Sequence, residues 1–470
     1  MTDEYNIRYM KLENFYYKLP VGLQNACISC YGLFWKNHRF GGIYNESYAE
    51  AIEREFFSYE QWEEYQTRQL RKLLINAFDN VPFYKKKYTD EGISRDFLER
   101  ITLEELKQLP YLTKNELRQF GKSTLLSTKK GRGMFCYSSG STGTPTAIYY
   151  GIDFHQKWSG IFEARIRNWA GISRKMARGM IGGRRILPQS ELKAPFYRYN
   201  IFEKQTYFSA YHLTSGTAAD YIEGMEKHNV EYMTGYAMSN FFLAEFIEKN
   251  NLRAPKMKAV ITSSEKLTPE MRKVIERVYN CKTFDGYSGT EACGLITETQ
   301  EGQLLVSPDV GIMEFIKEDG SYATNGEEGE IVSTGFLNYD QPLIRYRIGD
   351  KATLSKNQIS KSKHSMTIVD EITGRVEDVI VARDGRKIVR FHGLYLEIPG
   401  LVSAQIIQHD LEHISFNLVC DRHYTKESSE KVIKSRLESQ IGKFEVEFNY
   451  PESLPIEKNG KIKAVISHLH

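Results

Sequence analysis

The spacing of apolar positions predicts that the chain begins with helices. Between residues 50 and 80, apolar side chains recur three or four residues apart with charged residues between them, which is typical of amphipathic helices. These positions are Ile52, Phe56, Phe57, Leu70, Leu73, Leu74 and Phe78. Thr102 with Glu105, and Thr113 with Glu116, each form an S/T-x-x-E pattern that favours a helix start. We therefore expect residues 1–125 to be mainly helical.

The pattern changes after residue 130 to short apolar runs that alternate with helical segments. Residues 257–261 and 282–284 read as strands, and between them Thr268 and Pro269 are typical of the first residues of a helix. This alternation predicts an α/β fold with parallel or mixed sheets. Ligands in such sheets bind at the carboxyl ends of the strands.

The C-terminal part reads as a smaller α+β unit. The polar segment 354–366 and the charged run 374–378 mark a junction, after which 379–381, 416–419 and 444–448 have strand patterns around a helix at 426–440. We predict a large N-terminal domain at 1–374 and a small C-terminal domain at 375–470.

Composition then narrows the class of protein. Of the 470 residues, 41% are hydrophobic and 26% charged, as in a soluble globular protein, and the net charge of +3 provides no strong field for nucleic acid. The sequence has no apolar run long enough for a transmembrane segment, and its N-terminus lacks the pattern of a signal peptide. We therefore expect a cytoplasmic protein that binds no nucleic acid.

Two N-terminal features leave alternatives open. The six cysteines are scattered, which suits a reducing compartment, and Cys27 and Cys30 form either a metal or redox pair or two positions on a helix with Leu23 and Phe34. Segment 31–44 mixes aromatic and basic residues. It either packs as an N-terminal extension or makes a peripheral contact with a membrane surface or a glycan.

A run of hydroxyl residues and glycines at 137–144 is the strongest single indication of chemistry. Glycines allow the backbone amides to approach an anion, and the hydroxyls add donors, so this run predicts a phosphate loop. It lacks the lysine of a P-loop, because Thr146 follows Pro145. A plain surface turn is the alternative. The run is Tyr137, Ser138, Ser139, Gly140, Ser141, Thr142, Gly143 and Thr144.

Four further polar loops follow in an order that resembles a known superfamily. The five loops are residues 137–144, 286–291, 345–350, 374–378 and 455–461. Together they resemble the adenylate-forming superfamily of acyl-CoA synthetases, peptide-synthetase adenylation domains and luciferases. Segments 80–84, 109–114 and 405–408 are similar to the phenylacetate-CoA ligase branch, and especially to CapK-like proteins encoded with bacterial polysaccharide genes.

The resemblance implies an ATP site. The loop from Ser138 to Thr144 would hold the β and γ phosphates, Tyr287 would stack on the adenine, and Asp350 would accept the ribose hydroxyls. Thr290 would touch the α-phosphate, and Glu291 would bind Mg²⁺. The remaining adenine-site positions are Ser264, Glu265, Asp285, Gly286 and Ser288.

The resemblance also implies a mobile C-terminal domain that brings a cation to the reacting groups. Arg375 would assist at the ribose, Glu377 would be the hinge, and Lys461 would neutralise charge between the carboxylate and the α-phosphate. Each position has a plainer interpretation. Glu291 is also typical of a helix start, Asp350 of a turn, and Lys461 of an exposed turn.

The substrate pocket is assigned to Tyr137, His212 and Tyr236. His212 is equally well interpreted as a structural histidine. Tyr236 belongs with Tyr232, Ser239 and Asn240 to a polar region that favours a polar substrate, or else these residues simply belong around an amphipathic helix at 238–249.

The resemblance implies an ATP-dependent ligase that activates a carboxylate, such as an aryl acid or a sugar uronate, and transfers it to an acceptor. Relatives that form CoA thioesters carry Asp or Lys at the hinge and an Arg-Gly or Lys-Gly turn after it. Glu377 and the changed flanks of Gly385 favour an amine acceptor on a surface polysaccharide sugar. Thiol transfer to CoA is the alternative, and a noncatalytic nucleotide-binding scaffold is the alternative of another class.

Overall fold

The first part of the molecule is a layer of helices. The computed structural model describes residues 15–138, 146–188, 191, 193–373, 379–388, 391, 394–395, 398–455 and 463–469. The first helices span Val21–Phe40, Tyr44–Glu53, Tyr59–Asn80, Pro82–Asp90, Arg95–Arg100 and Lys114–Phe120, with a 3₁₀ helix at Glu104–Gln108. Thr113 and Glu116 form the predicted capping box. The predicted helical run at 50–80 is divided, because the chain turns at 54–58 before Ser58 caps a new helix.

Most of the strands belong to one large sheet. Within the described residues, twelve strands pair in the order β11-β12-β13-β14-β10-β9-β8-β7-β6-β3-β5-β4. The central strands β5, β3, β6, β7 and β8 are parallel, and the flanking pairs are antiparallel. The strands of this sheet are β3 Arg178–Gly182, β4 Tyr197–Asn200, β5 Gln205–Ser209, β6 Tyr232–Tyr236, β7 Ala259–Ser263, β8 Lys282–Tyr287, β9 Ile296–Glu298, β10 Leu304–Val306, β11 Gly311–Ile316, β12 Glu328–Gly335, β13 Tyr346–Leu354 and β14 Ile368–Thr373.

Helices follow the parallel strands, as the alternating pattern predicts. They span Ala218–Lys227, Ala237–Lys249 and Pro269–Tyr279. A further helix, Ile152–Phe162, comes before the first strand of the large sheet and continues into a π-helical turn at Glu163–Arg167. A separate antiparallel hairpin joins β1, Gly133–Tyr137, to β2, Ala147–Gly151. The α/β class is confirmed. Among the described helices, none is long and apolar enough to cross a membrane.

The opening helices and the large sheet share one hydrophobic core. Leu70, Leu73 and Leu74 are fully buried in the same cluster as Ile261 and Phe284 from the parallel strands. The helical opening is therefore packed on the large sheet, and burial of these side chains is the main force that holds the two together.

The C-terminal part has its own sheet and its own core. Strands β17 Leu401–Gln408, β18 His413–Cys420, β19 Glu445–Asn449 and β20 Val465–Ser467 pair in the order β19-β18-β17-β20, and the helix Lys426–Ile441 covers them. Two short strands, β15 Ile380–Val381 and β16 Lys387–Ile388, form a hairpin before this sheet. The strands and helix predicted for this part are confirmed.

The polar segment 354–366 is not a junction between domains. It connects β13 to β14, and these two strands pair with each other inside the large sheet. His364 in this segment is buried, with Nδ1 at 2.7 Å from the Ser362 hydroxyl and Nε2 at 3.3 Å from Glu55. The predicted boundary at 374/375 lies outside the described residues and stays a prediction.

Candidate active site

The parallel strands bring several predicted site residues to one edge of the sheet. Gly235 is in register with Thr262, and Ser263 is in register with Gly286, so β6, β7 and β8 end side by side. Tyr236, Ser264 and Tyr287 therefore lie at neighbouring carboxyl ends, where ligands of α/β sheets bind.

The loop after β7 is held in an unusual backbone conformation. Ser264 has φ of +70°, in the left-handed region that is costly for a residue with a side chain. The next residue, Glu265, accepts a hydrogen bond at Oε2 from the Met238 amide at 2.9 Å, at the start of the helix Ala237–Lys249. A carboxylate is favoured at a helix N-terminus, so Glu265 fixes the β7 loop against the β6 loop.

Asp285 lies inside β8 in a buried polar cluster. Its amide donates to Glu298 Oε2 at 2.8 Å, and the same carboxylate oxygen accepts from Arg272 at 2.8 Å. Burial and, to a smaller extent, the charge of the neighbouring Glu298 carboxylate together raise the pKa of Asp285 to about 7. Near neutral pH, a substantial share of the Asp285 side chain is therefore protonated.

A hydrogen bond joins the predicted adenine and ribose residues. The Tyr287 hydroxyl donates to Asp350 Oδ2 at 2.8 Å, across 63 positions in the chain. Burial, together with the Asp350 charge, raises the pKa of Tyr287 well above its ordinary value. The phenol therefore stays protonated and holds one Asp350 oxygen in place.

Glu291 lies beneath the base of the hydroxyl-glycine loop. Its Oε1 accepts hydrogen bonds from the hydroxyls of Thr146 and Tyr346, each at 3.3 Å. The Thr146 hydroxyl oxygen also lies 2.8 Å from Ser138 Oγ, and the Thr146 amide donates to Ser138 Oγ at 2.9 Å. The two ends of the loop are thus tied together and tied to Glu291.

The geometry of Glu291 fits a site for one divalent cation that also takes oxygens from a ligand. Its Oε2 lies directly over Gly289, where a Cβ atom would come within 2.4 Å of that oxygen. In the part of the chain that the structure describes, no group of three His, Cys, Asp or Glu side chains is arranged to hold a metal. A single carboxylate with substrate phosphates is the arrangement that Mg²⁺ commonly takes, so the residues fit this ion.

A buried amide network anchors the hairpin that carries the loop. Gln341 accepts from the Tyr149 amide at 2.8 Å and donates to the carbonyls of Ala147 and Gly121 at 3.1 and 2.7 Å. Asn338 donates to the Tyr149 carbonyl at 3.0 Å. Strand β2 is therefore fixed directly after the predicted phosphate loop.

Arg345 fixes the start of the strand that carries Asp350. Its guanidinium forms two hydrogen bonds with Glu314, at 2.8 and 3.0 Å, and both side chains are almost fully buried. It also donates to the carbonyls of Lys107 and Leu109 at 2.8 and 2.7 Å, in the helical opening region. The backbone of Arg345 has φ of +46°.

The three residues assigned to the substrate pocket lie in different surroundings. Tyr137 is exposed, with Lys122 Nζ 4.9 Å from its ring centroid. His212 is buried, with Nδ1 at 2.7 Å from the Ser209 hydroxyl and Nε2 at 3.1 Å from the Pro188 carbonyl. Both ring nitrogens thus have protein partners, as in a structural histidine.

Tyr236 is half-buried at the end of β6, and its hydroxyl packs over Gly183 at the end of β3. The Asn240 amide donates to the Tyr236 carbonyl at 2.8 Å, which uses this side chain to hold the helix start. The Thr290 carbonyl accepts a hydrogen bond from the Tyr150 hydroxyl of β2 at 2.7 Å.

Several assigned positions lie outside the described residues. These are 139–145 of the loop, Arg375, Glu377 and Lys461. Of the residues that sequence reasoning missed, Thr146 and Tyr346 both contact Glu291. Thr146 directly follows the loop and Tyr346 lies within the motif at 345–350, so adjacency to a motif was the available signal. Glu298 and Arg272 had no such signal.

Comparisons with known proteins agree with this geometry. The family model described as the CapK C-terminal domain matches residues 380–468. Protein CapK of Staphylococcus aureus is 26% identical over 465 residues, which cover 97% of this chain and 100% of that protein. Phenylacetate-coenzyme A ligase of Escherichia coli strain K12 is 24% identical over 339 residues, covering 68% of this chain and 72% of the relative.

Solved structures show the same fold. A 2-hydroxyisobutyryl-CoA ligase in the postadenylation state, in complex with its acyl-AMP, aligns with a TM-score of 0.56 at 18% identity. The alignment covers 88% of this chain and 91% of that one. The same ligase in the thioesterification state, with acyl-AMP and CoA, aligns with a TM-score of 0.55.

Proposed function

Because the chain belongs to the adenylate-forming superfamily, in the branch of CapK and the phenylacetate-CoA ligases, we propose that it activates a carboxylic acid with ATP. The carboxylate attacks the α-phosphate, a bond forms between a carboxylate oxygen and that phosphorus, and pyrophosphate leaves. The product is an acyl-adenylate. The acceptor then attacks the acyl carbon, and AMP leaves.

The observation that carries this proposal is the Tyr287 to Asp350 hydrogen bond at the carboxyl edge of the sheet. The aromatic ring of Tyr287 suits stacking on a base. The neighbouring Asp350 carboxylate, one of whose oxygens is already bound by Tyr287, suits the two hydroxyls of the ribose. Stacking of a base on an aromatic ring contributes about 1 to 3 kcal/mol. Ser264, Glu265, Asp285, Gly286 and Ser288 would surround the base.

The proposed phosphate end lies at Ser138, Thr146 and Glu291. The loop at 138–144 would donate to the β and γ phosphates, and Thr290 would contact the α-phosphate. Mg²⁺ bound to Glu291 would supply positive charge to the phosphate oxygens. Because Thr146 and Tyr346 both donate to Oε1, they would hold the Glu291 carboxylate so that Oε2 faces the ligand.

Two anions meet in the first half-reaction, so a cation near the attacked phosphorus lowers the barrier. We assign this role to Lys461, with Arg375 at the ribose. Glu377 would be the hinge about which the C-terminal domain turns between the half-reactions. The polar residues Tyr137, Tyr236 and His212 are the proposed surroundings of the acyl group.

We propose an amine on a surface polysaccharide sugar as the acceptor, which gives an amide, for example of a uronic acid. Two observations support this. First, similarity to CapK extends over 97% of the chain, whereas similarity to the phenylacetate-CoA ligase covers 68% of it. Second, the CapK C-terminal family model matches the domain that would turn toward the acceptor. Formation of a CoA thioester is the alternative, since CoA is bound by the ligase of similar fold.

ATP–pyrophosphate exchange tests the first half-reaction. Aryl acids and nucleotide-linked uronic acids are screened for acid-dependent exchange, with Glu291→Gln as the variant and Glu301→Gln, a glutamate outside the site, as its control. We expect exchange with one class of acid, lost in Glu291→Gln only. AMP release is then measured with CoA and with amino sugars. If ATP raises Tm but no acid supports exchange, the scaffold interpretation is correct instead.

A further inference from the structure

The helix Val21–Phe40 has its polar and apolar sides reversed relative to a helix on a water-facing surface. Gln24, Ser29 and His38 are buried, whereas Leu23, Tyr31 and Phe34 each expose 53% of their surface. A surface helix ordinarily buries its apolar stripe and exposes its polar one. Cys27 and Cys30 are exposed as well, so the positions 23, 27, 30 and 34 form one outward stripe at helical spacing.

The buried polar residues have partners that fix the orientation of this helix. Gln24 donates to the Leu19 carbonyl at 2.9 Å, and Ser29 accepts from the Ile201 amide at 3.2 Å. His38 Nδ1 lies 2.9 Å from His155 Nδ1. Gly32 packs so closely on β4 that a Cβ atom would come within 2.0 Å of Asn200. The helix therefore cannot rotate to bury its outward apolar stripe without breaking these contacts.

The apolar surface continues beyond the helix. Phe15 precedes it, and Ile201 and Phe202 at the β4–β5 turn lie beside it; all three are exposed. Lys36 Nζ donates to the Phe202 carbonyl at 3.1 Å, which joins the turn to the helix. We call the set of Phe15, Leu23, Tyr31, Phe34, Ile201 and Phe202 the apolar face. Several large exposed apolar side chains in one place mark an interaction surface.

The charge around this face indicates its partner. Residues 14–45 contain no Asp or Glu, although the whole chain has 60, and they include Lys18 and Lys36, while Arg39 is paired with the buried Glu203. Lys18 and Lys204 are exposed beside the face. Apolar and aromatic side chains with a basic border are the composition of helices that lie in the interface of an anionic membrane. A symmetric contact between two copies would instead bring these like charges together.

We propose that the apolar face binds peripherally to the surface of a membrane that contains anionic lipids, with the helix Val21–Phe40 lying along the membrane. The face is also connected to the edge of the sheet that carries the candidate site. The Tyr16 hydroxyl donates to the Ile186 carbonyl at 2.8 Å, in the segment that follows β3. Binding at this face would therefore hold the segment after β3 close to the membrane.

Vesicle sedimentation tests this proposal with the full chain. The probes are vesicles of phosphatidylcholine with phosphatidylglycerol, and vesicles of phosphatidylcholine alone. We expect the wild type to sediment with the anionic vesicles, the double variant Leu23→Gln/Phe34→Gln to bind at least about tenfold more weakly, and Lys18→Gln to bind about fivefold more weakly. Ile359→Gln, which changes a side chain that is 75% exposed elsewhere, should bind as the wild type does.

A second readout separates membrane contact from folding defects and from self-association. In a Cys30→Ser background, a polarity-sensitive dye on the exposed Cys27 should shift to the blue when anionic vesicles are added. Pyrophosphate exchange in solution should be the same for the wild type and the Leu23→Gln/Phe34→Gln variant. The proposal is overturned if the wild type stays in the supernatant with anionic vesicles. It is equally overturned if light scattering shows a dimer that the double variant converts to a monomer without any vesicle binding.

Discussion

Removal of one hydroxyl group, in Tyr287→Phe, tests the nucleotide site most directly. The ring that would stack on the base stays, and the hydrogen bond to Asp350 Oδ2 at 2.8 Å is lost. A hydrogen bond to a charged group contributes about 1.5 to 3 kcal/mol, and less where both partners keep some exposure to solvent, as they do here. We therefore expect a loss of about 1 to 2 kcal/mol in ATP binding, which is a factor of about 5 to 30.

Steady-state pyrophosphate exchange measures this effect as KM for ATP. Because the hydrogen bond positions a residue that we propose to bind the ribose both before and during the reaction, KM should rise while kcat stays within about twofold. Tyr450→Phe is the matched control, since its hydroxyl donates to the Glu430 carboxylate away from the site, and it should leave KM unchanged. The wild type should also prefer ATP over 2′-deoxy-ATP, and Tyr287→Phe should prefer it less. An unchanged KM in Tyr287→Phe would refute the assignment of Asp350 to the ribose.

Three further predictions address the late lysine, the buried ion pair and pH. Lys461→Ala should slow pyrophosphate exchange by about 10² to 10³, whereas the rate of acyl transfer from a supplied acyl-adenylate should change little. Equal losses of rate in both assays would contradict the role assigned to Lys461. Arg345→Met leaves the buried Glu314 without its ion-pair partner and should lower the free energy of unfolding in urea by about 3 to 5 kcal/mol. Its control, Arg347→Met, breaks an exposed pair with Glu330 and should lower the free energy of unfolding by less than about 1 kcal/mol. The pKa of Asp285 is about 7 in the folded chain and about 3.9 in the unfolded chain. Between these pH values the folded chain binds more protons than the unfolded chain, so the contribution of Asp285 to the free energy of unfolding falls as pH rises from about 4 to 7. The stability of Asp285→Asn relative to the wild type should therefore be greater at pH 8 than at pH 5. Urea unfolding without nucleotide at both pH values measures this difference. No difference would mean that the Asp285 side chain is ionised throughout.

The local parts of the fold could be predicted from the sequence, because their causes are local. The capping box at Thr113, the Thr268 cap followed by Pro269, and the strand-helix-strand alternation were all confirmed. The contact between Tyr287 and Asp350 could not be derived from the residues alone. Three strands, β9, β10 and β14, lie between β8 and β13 in the sheet order, and only that order brings the end of β8 to a residue 63 positions away.

Polar composition was misleading where a polar residue has a distant partner. Segment 354–366 looked like a junction, yet His364 is buried against Glu55 and stacks with Phe56 at 5.1 Å. The helix Val21–Phe40 shows the same limit. Its spacing predicts a helix correctly, but which side is buried depends on partners such as His155 and Asn200, which lie far along the chain.

The anchoring of Arg345 has a consequence for protein engineering. Leu112 donates to the Arg345 carbonyl and accepts from the Arg347 amide, each at 3.0 Å, so residues 107–112 act as an extra backbone partner for the strand that carries Asp350. A chimera that exchanges the helical opening between relatives would also exchange this partner and shift the Asp350 carboxylate. In family shuffling, residues 107–112 should therefore come from the same relative as the Arg345 and Glu314 pair that holds them. A crossover point before residue 107 meets this condition.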